Sequence, residues 1–152
     1  MSASELHVAY QPDDDGTGKI IATVKSGEFS ARGAAWFDPI DVKRTFVAVL
    51  RSFPLTATTP ALIEGGFWSK ENPGSLAQCH LRIAVKPYDV RGTLLVHVDL
   101  SSEVWTTPDA DLQNLATIRF TTEYVAVDRF AQELEAVLDG KRDVAVLTGA
   151  KS

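Results

Sequence analysis

The sequence predicts an α+β fold in two layers, a mainly antiparallel sheet of about six to seven strands with two helices on one face, in the order βββα-βββ(β)α. Three observations carry this. Several short runs alternate apolar with polar residues and are separated by Gly, Pro and Asp turn signals. Two later stretches change to the spacing of an amphipathic helix. The length of 152 residues suits a single domain, 1–152, because two separate cores would each approach the size at which an apolar interior ceases to suffice.

Leu6, Val8 and Tyr10 alternate with His7, Ala9 and Gln11 as a half-buried strand does, and Pro12 to Gly18 then breaks the run. The acidic Asp13 to Asp15 lacks the ligand spacing and closing Glu of a calcium loop, so it reads as a solvated turn. Lys19–Lys25 and Glu28–Phe37 flank Ser26-Gly27, a hairpin with Gly27 at positive φ. Asp38-Pro39-Ile40-Asp41 opens the first helix: Asp38 caps, Pro39 fits the first position and Asp41 favours the positive end of the dipole. Val42, Phe46, Val49, Leu50 and Phe53 form its apolar stripe, and Pro54 prevents extension.

Leu55–Pro60 reads as a connector, and Ala61–Trp68, interrupted by Gly65-Gly66, as a short bulged strand. A loop over Ser69–Gln78 leads to a hairpin of Cys79–Lys86 with Thr93–Leu100. Pairing that matches polar face to polar face sets Arg82 opposite Asp99, His97 opposite Ala84, and His80 diagonal to Asp99. A second loop, Ser101–Asn114, precedes a strand over Leu115–Thr121. The last helix carries Val127, Phe130, Leu134, Val137 and Leu138 on one face and stops at Gly140. Asp143–Leu147 suits a short returning strand, with Gly149–Ser152 expected to fray.

An offset of 84 residues, from Phe46 to Phe130, also matches Leu50 with Leu134, Trp36 with Phe120, and Asp38 with Thr122 as a second cap. Two related halves, 1–54 and 61–140, would produce this echo, and so would the shared needs of any strand feeding a capped helix. Either origin puts both helices on one sheet face, with Trp36 and Phe120 in the core.

A net charge of −5 opposes a phosphate-tracking surface, so nucleic acid is not an expected partner. The acidity suits a basic protein partner. One cysteine, Cys79, excludes an intrachain disulfide and fits a reducing compartment. The first residues lack the pattern of a signal peptide, and no apolar run approaches membrane-spanning length, so the expected location is cytoplasmic with no membrane association. No phosphate loop, dinucleotide glycine pattern, nucleophile elbow or metal-binding histidine pair is present, which leaves no catalytic residue, cofactor or metal to assign.

The candidate ligand set is His80, Arg82, His97 and Asp99, which alternation places on one face of the mid-chain hairpin. Cys79 falls on the opposite face from His80, so no Cys/His pair forms. A plain solvated sheet face is the commoner meaning of such a pattern. Trp36 reads as core, whereas Trp68 beside Gly65-Gly66 and Trp105 beside Thr106-Thr107-Pro108 stand in loop-like settings. Such rings are either anchors for a partner or lids over sheet edges.

The glycine-led aromatic strand, Phe46 and Leu50 on one helix, Arg91-Gly92-Thr93-Leu94-Leu95-Val96-His97-Val98-Asp99-Leu100 in mid-chain, and the closing Phe130-Ala131-Gln132-Glu133-Leu134 helix together resemble the WapI-type immunity proteins and related uncharacterised bacterial domains. The resemblance implies a small cytoplasmic protein that neutralises a toxin domain by binding it, without cofactor or catalytic residues. Two functions follow from the sequence. One is a non-enzymatic protein-binding module anchored by Trp68 and Trp105. The alternative is a small-molecule-binding or enzymatic domain with a pocket between sheet and helices, reached by His80, Arg82, His97 or Asp99.

Overall fold

Alternation builds the first strand, β1 (Glu5–Pro12), with Leu6 and Val8 buried. The structure is a computed structural model describing residues 3–105 and 112–150. After β1 the Asp15 carboxylate accepts from the Thr17 hydroxyl at 2.6 Å and the Thr17 N–H at 3.0 Å, and these bonds hold it below its usual range. β2 (Gly18–Ser26) and β3 (Phe29–Phe37) form the expected hairpin. Gly27, at φ 61°, takes the first position of its two-residue loop, where the strand twist calls for a positive φ.

Asp38 caps the first helix as expected, its Oδ1 accepting from the Ile40 N–H at 2.9 Å with Pro39 following. The helix is continuous through α1 (Pro39–Val42), a π-helical turn (Lys43–Val47) and α2 (Ala48–Leu50). Val42, Phe46 and Leu50 are buried, but Phe53 is 78% exposed. The helix ends at Leu50, before Phe53, and Val47 at the end of the wider π turn joins Phe46 in the core.

The second half forms β4 (Ala61–Trp68), β5 (Leu76–Pro87), β6 (Thr93–Ser101) and β7 (Leu115–Glu123). Arg82 pairs with Asp99 and Ala84 with His97, the register that polar-face matching required. Helix α3 (Tyr124–Leu138) buries Val127, Phe130, Leu134, Val137 and Leu138. It ends in a Schellman turn: Gly140 has φ 76°, its N–H donates to the Val137 carbonyl, and the Lys141 N–H donates to the Ala136 carbonyl. β8 (Ala145–Thr148) then returns to pair with β1. Gly149 and Ala150 do not fray, because their N–H groups donate to the carbonyls of Ser4 and Thr121 at 2.8 and 2.7 Å. Residues 151 and 152 lie outside the described residues.

The strands build two four-stranded antiparallel sheets, β3-β2-β1-β8 and β4-β5-β6-β7, in place of the single sheet expected. No ladder joins β3 to β4; instead β3 crosses all four strands of the second sheet face-on. Small residues permit this approach. A Cβ at Gly33 would lie 3.1 Å from Leu100 Cβ, and one at Gly65 would lie 2.7 Å from the Phe37 ring. Helix α3 packs on β1 and β8 of one sheet and β7 of the other, while the π turn packs on β4 and α3. The helices thus close the space between the sheets, and a single cluster of buried side chains joins every layer.

Trp36 is not in the core: Ala35 is buried and Phe37 packs against the core, which leaves the ring between them 47% exposed. Thr122 does not cap α3. It is buried, its hydroxyl donates to the Thr148 carbonyl at 2.7 Å, and Glu123 takes the cap position without a side-chain bond. The echo between halves therefore matches in burial at Phe46 with Phe130 and Leu50 with Leu134, and departs at Trp36 with Phe120 and Asp38 with Thr122. Among the described residues, no helix is long and apolar enough to cross a membrane.

Candidate binding groove

The four polar residues singled out on the mid-chain hairpin do not converge. Gly65 pairs with Leu81 but Gly66 pairs with Cys79, so His80 is an extra residue bulged out of β5. The bulge reverses the alternation at that point, and His80 leaves the face of Arg82 and Asp99. It becomes buried, with its Nε2 donating to Gln78 Oε1 at 2.5 Å and its ring edge-on to Phe67 at 4.5 Å. Burial lowers the His80 pKa, partly opposed by the Glu103 charge. Cys79 is instead surrounded by the charges of Glu64, Arg82 and Asp99, and burial foremost pushes its thiol pKa up. Cys79 and His80 therefore still point apart.

Arg82, His97 and Asp99 remain on the face turned away from the core. Arg82 reaches Glu64 at 3.8 Å, and Asp99 Oδ1 lies 3.2 Å from His97 Nε2 while accepting from the Thr117 hydroxyl at 2.6 Å. Each group has a charged or polar neighbour on its own or the adjacent strand, as is usual on a solvated sheet face.

The tryptophans are placed apart from one another. Trp105 packs on Phe67 at 4.6 Å, its Nε1 donates to Glu103 Oε2 at 2.9 Å, and it stays 74% exposed. With Phe67 it covers the His80 region, as a lid does. The adjoining Thr106-Thr107-Pro108 lies outside the described residues. Trp68 is the last residue of β4, not part of a loop, and is 53% exposed.

Trp68 shares a groove with Trp36. β3 and β4 are the outer strands of their sheets, and the first turns of the first helix lie beside both. The space they enclose has a volume of about 610 Å³. Trp36 and Phe37 contribute from β3, and Leu62, Ile63, Glu64 and Trp68 from β4. Asp38, Asp41, Val42 and Thr45 follow the three-to-four-residue rhythm of one helix face, and Thr17 completes the rim.

Among the described residues the groove lining holds three carboxylates and no Lys, Arg or His. The acidic character extends past the rim. Tyr10, whose ring lies over Gly18, has its hydroxyl pKa raised by burial first and then by the charges of Asp38, Asp15 and Asp13. Two cations stand nearby: Lys19 Nζ lies 5.3 Å from the Trp36 ring centroid, and Arg82 reaches Glu64 from the neighbouring strand. The arrangement can bury apolar or aromatic surface and hold a positive charge beside it. Among the described residues no cluster of three or more His, Cys, Asp or Glu is placed to hold a metal.

Sequence reasoning missed Trp36, Asp38, Asp41 and Glu64 as site residues. The signal was available in Phe29–Phe37, where Ala31, Gly33 and Ala35 form a stripe of small residues suited to close sheet packing, which puts Trp36 on the other face. Compared with family models, with curated proteins and with solved structures, the chain gives no match.

Proposed function

We propose that the chain is a non-enzymatic protein-binding module that docks a basic partner in the groove between Trp36 and Trp68. The observation that carries this is the groove itself, two half-exposed indoles beside Asp38, Asp41 and Glu64 with no cation in the lining. Indole rings bury much area at little entropic cost, and clustered carboxylates steer a basic surface toward them. The resemblance to WapI-type immunity proteins gives the reading a biological form, in which the bound partner is a toxin domain held inactive. Trp105 serves as a lid over Phe67 and His80, outside the docking surface. The small-molecule alternative would have to draw on other residues, since the groove contains none of His80, Arg82, His97 and Asp99.

The test is capture from an extract of the native cells by immobilised wild-type chain and by Trp36→Ala, Trp68→Ala and Trp105→Ala, with denaturation midpoints measured in parallel. Trp68→Ala is expected to weaken capture of the same protein by about 2 kcal/mol or more, roughly 30-fold, at an unchanged midpoint. Trp105→Ala is expected to lower the midpoint and leave capture intact. Loss of capture only in proportion to loss of folding, for Trp36→Ala and Trp68→Ala alike, contradicts the proposal.

A further inference from the structure

Resting on that reading, we infer that the occupant of the groove is an extended segment of the partner, laid along the free edge of β4, with a Lys or Arg side chain held between the indoles and the carboxylates. Three consecutive β4 residues, Leu62, Ile63 and Glu64, line the groove. Successive side chains of a strand point to opposite faces, so three in a row border one space only along the strand's edge. That edge is where unpaired N–H and C=O groups lie.

The edge is unpaired as well as near, with the π turn and β3 packed beside β4. β4 ends its sheet, and its ladder is with β5. Among the described residues, no hydrogen bond from another element reaches the backbone of 61–64 on the other side. The register is regular from Ala61 to Gly65, and the irregularities begin beyond Gly65. Residues 61–64 carry no Pro and no Lys, the usual devices that blunt an edge against pairing. An added strand obtains affinity from main-chain hydrogen bonds and selectivity from pockets for alternate side chains. Here the pocket chemistry is indole and carboxylate, which fits an ammonium or guanidinium and disfavours an acidic or neutral polar side chain.

The probe is a synthetic six-residue peptide, Thr-Val-Arg-Val-Thr-Val, blocked at both ends and titrated against the full chain by tryptophan fluorescence. Control peptides replace Arg by Gln, or carry backbone N-methyl groups at alternate residues in each of the two registers. The parent is expected to bind at least about tenfold tighter than the Gln peptide and than the weaker N-methylated form, and to slow amide exchange at 62–64. Glu64→Gln and Asp41→Asn are expected to weaken the parent about threefold to tenfold with little effect on the Gln peptide, and Lys19→Gln to tighten it. Equal binding of the parent and both N-methylated peptides overturns strand addition. Equal binding of the Arg and Gln peptides overturns the cation site. No binding of the parent, while Trp68→Ala still abolishes partner capture, removes this inference and leaves the docking groove standing; intact capture by folded Trp36→Ala and Trp68→Ala removes the groove itself.

Discussion

Replacing Gly66 by Ala tests the bulge that shapes the end of β4. A Cβ at Gly66 would lie 2.0 Å from the Gln78 carbonyl oxygen, 2.9 Å from His80 N and 3.0 Å from the Gln78 carbonyl carbon. All three are backbone atoms, so no rotamer change relieves the clash, and β4 has to move off β5 by about 1 Å to restore ordinary contact. Such a shift strains the packing by about 1–3 kcal/mol and weakens one or two ladder hydrogen bonds worth about 1 kcal/mol each. Alanine returns about 0.4–1 kcal/mol by restricting the unfolded chain, which leaves a net loss of about 1–4.5 kcal/mol. Gly16→Ala is the control: nothing lies within 4 Å of its Cβ, and only its φ of 86° opposes the change, at about 1–2 kcal/mol. Urea denaturation followed by tryptophan fluorescence measures both. A Gly66→Ala variant within about 0.5 kcal/mol of wild type would refute the geometry at the bulge.

Phe46 and Phe130 are each 0% exposed, one on each helical segment of the shared core. Truncating either to Ala is expected to cost about 3–5 kcal/mol, and unchanged urea midpoints would exclude it from the core. His80 should make stability depend on pH. Burial lowers its folded pKa below its unfolded value of about 6.5, so between the two the unfolded chain binds more protons and stability rises with pH. The full contribution is present above about pH 6.5 and is lost as pH falls below it, with a slope of at most about 1.4 kcal/mol per pH unit. Subtracting the unfolding free energies of His80→Gln from those of wild type across this range isolates the effect; parallel curves would contradict it.

The local elements were legible because their causes are local. Leu6, Val8, Val127 and Phe130 follow plain periodicities, Asp38 and Gly140 are ordinary punctuation, and the Arg82–Asp99 register follows from matching polar faces. The layering was not legible, because strands that extend one sheet and strands that stack a second sheet carry the same alternation. His80 was misplaced for a related reason. One bulged residue inverts every inward and outward assignment beyond it; Gly65-Gly66 marked the bulge, but no side chain in Gln78–Leu81 shows that the extra residue falls on β5 at His80. Phe53 left its helical stripe because the helix ends at Leu50, three residues before it. The groove depends on segments distant in sequence, Thr17, Trp36 to Thr45 and Leu62 to Trp68, and becomes a unit only when the two sheet edges meet the first helix.

The most direct measurement is amide hydrogen exchange on the chain, free and bound to its captured partner. The docking groove requires slowed exchange at 36–45 and 61–68, with β6 and β7 unchanged. Protection centred on 97–99 and 117–119, with 61–68 exchanging as in the free chain, would contradict it and return the binding surface to the outer face of the second sheet.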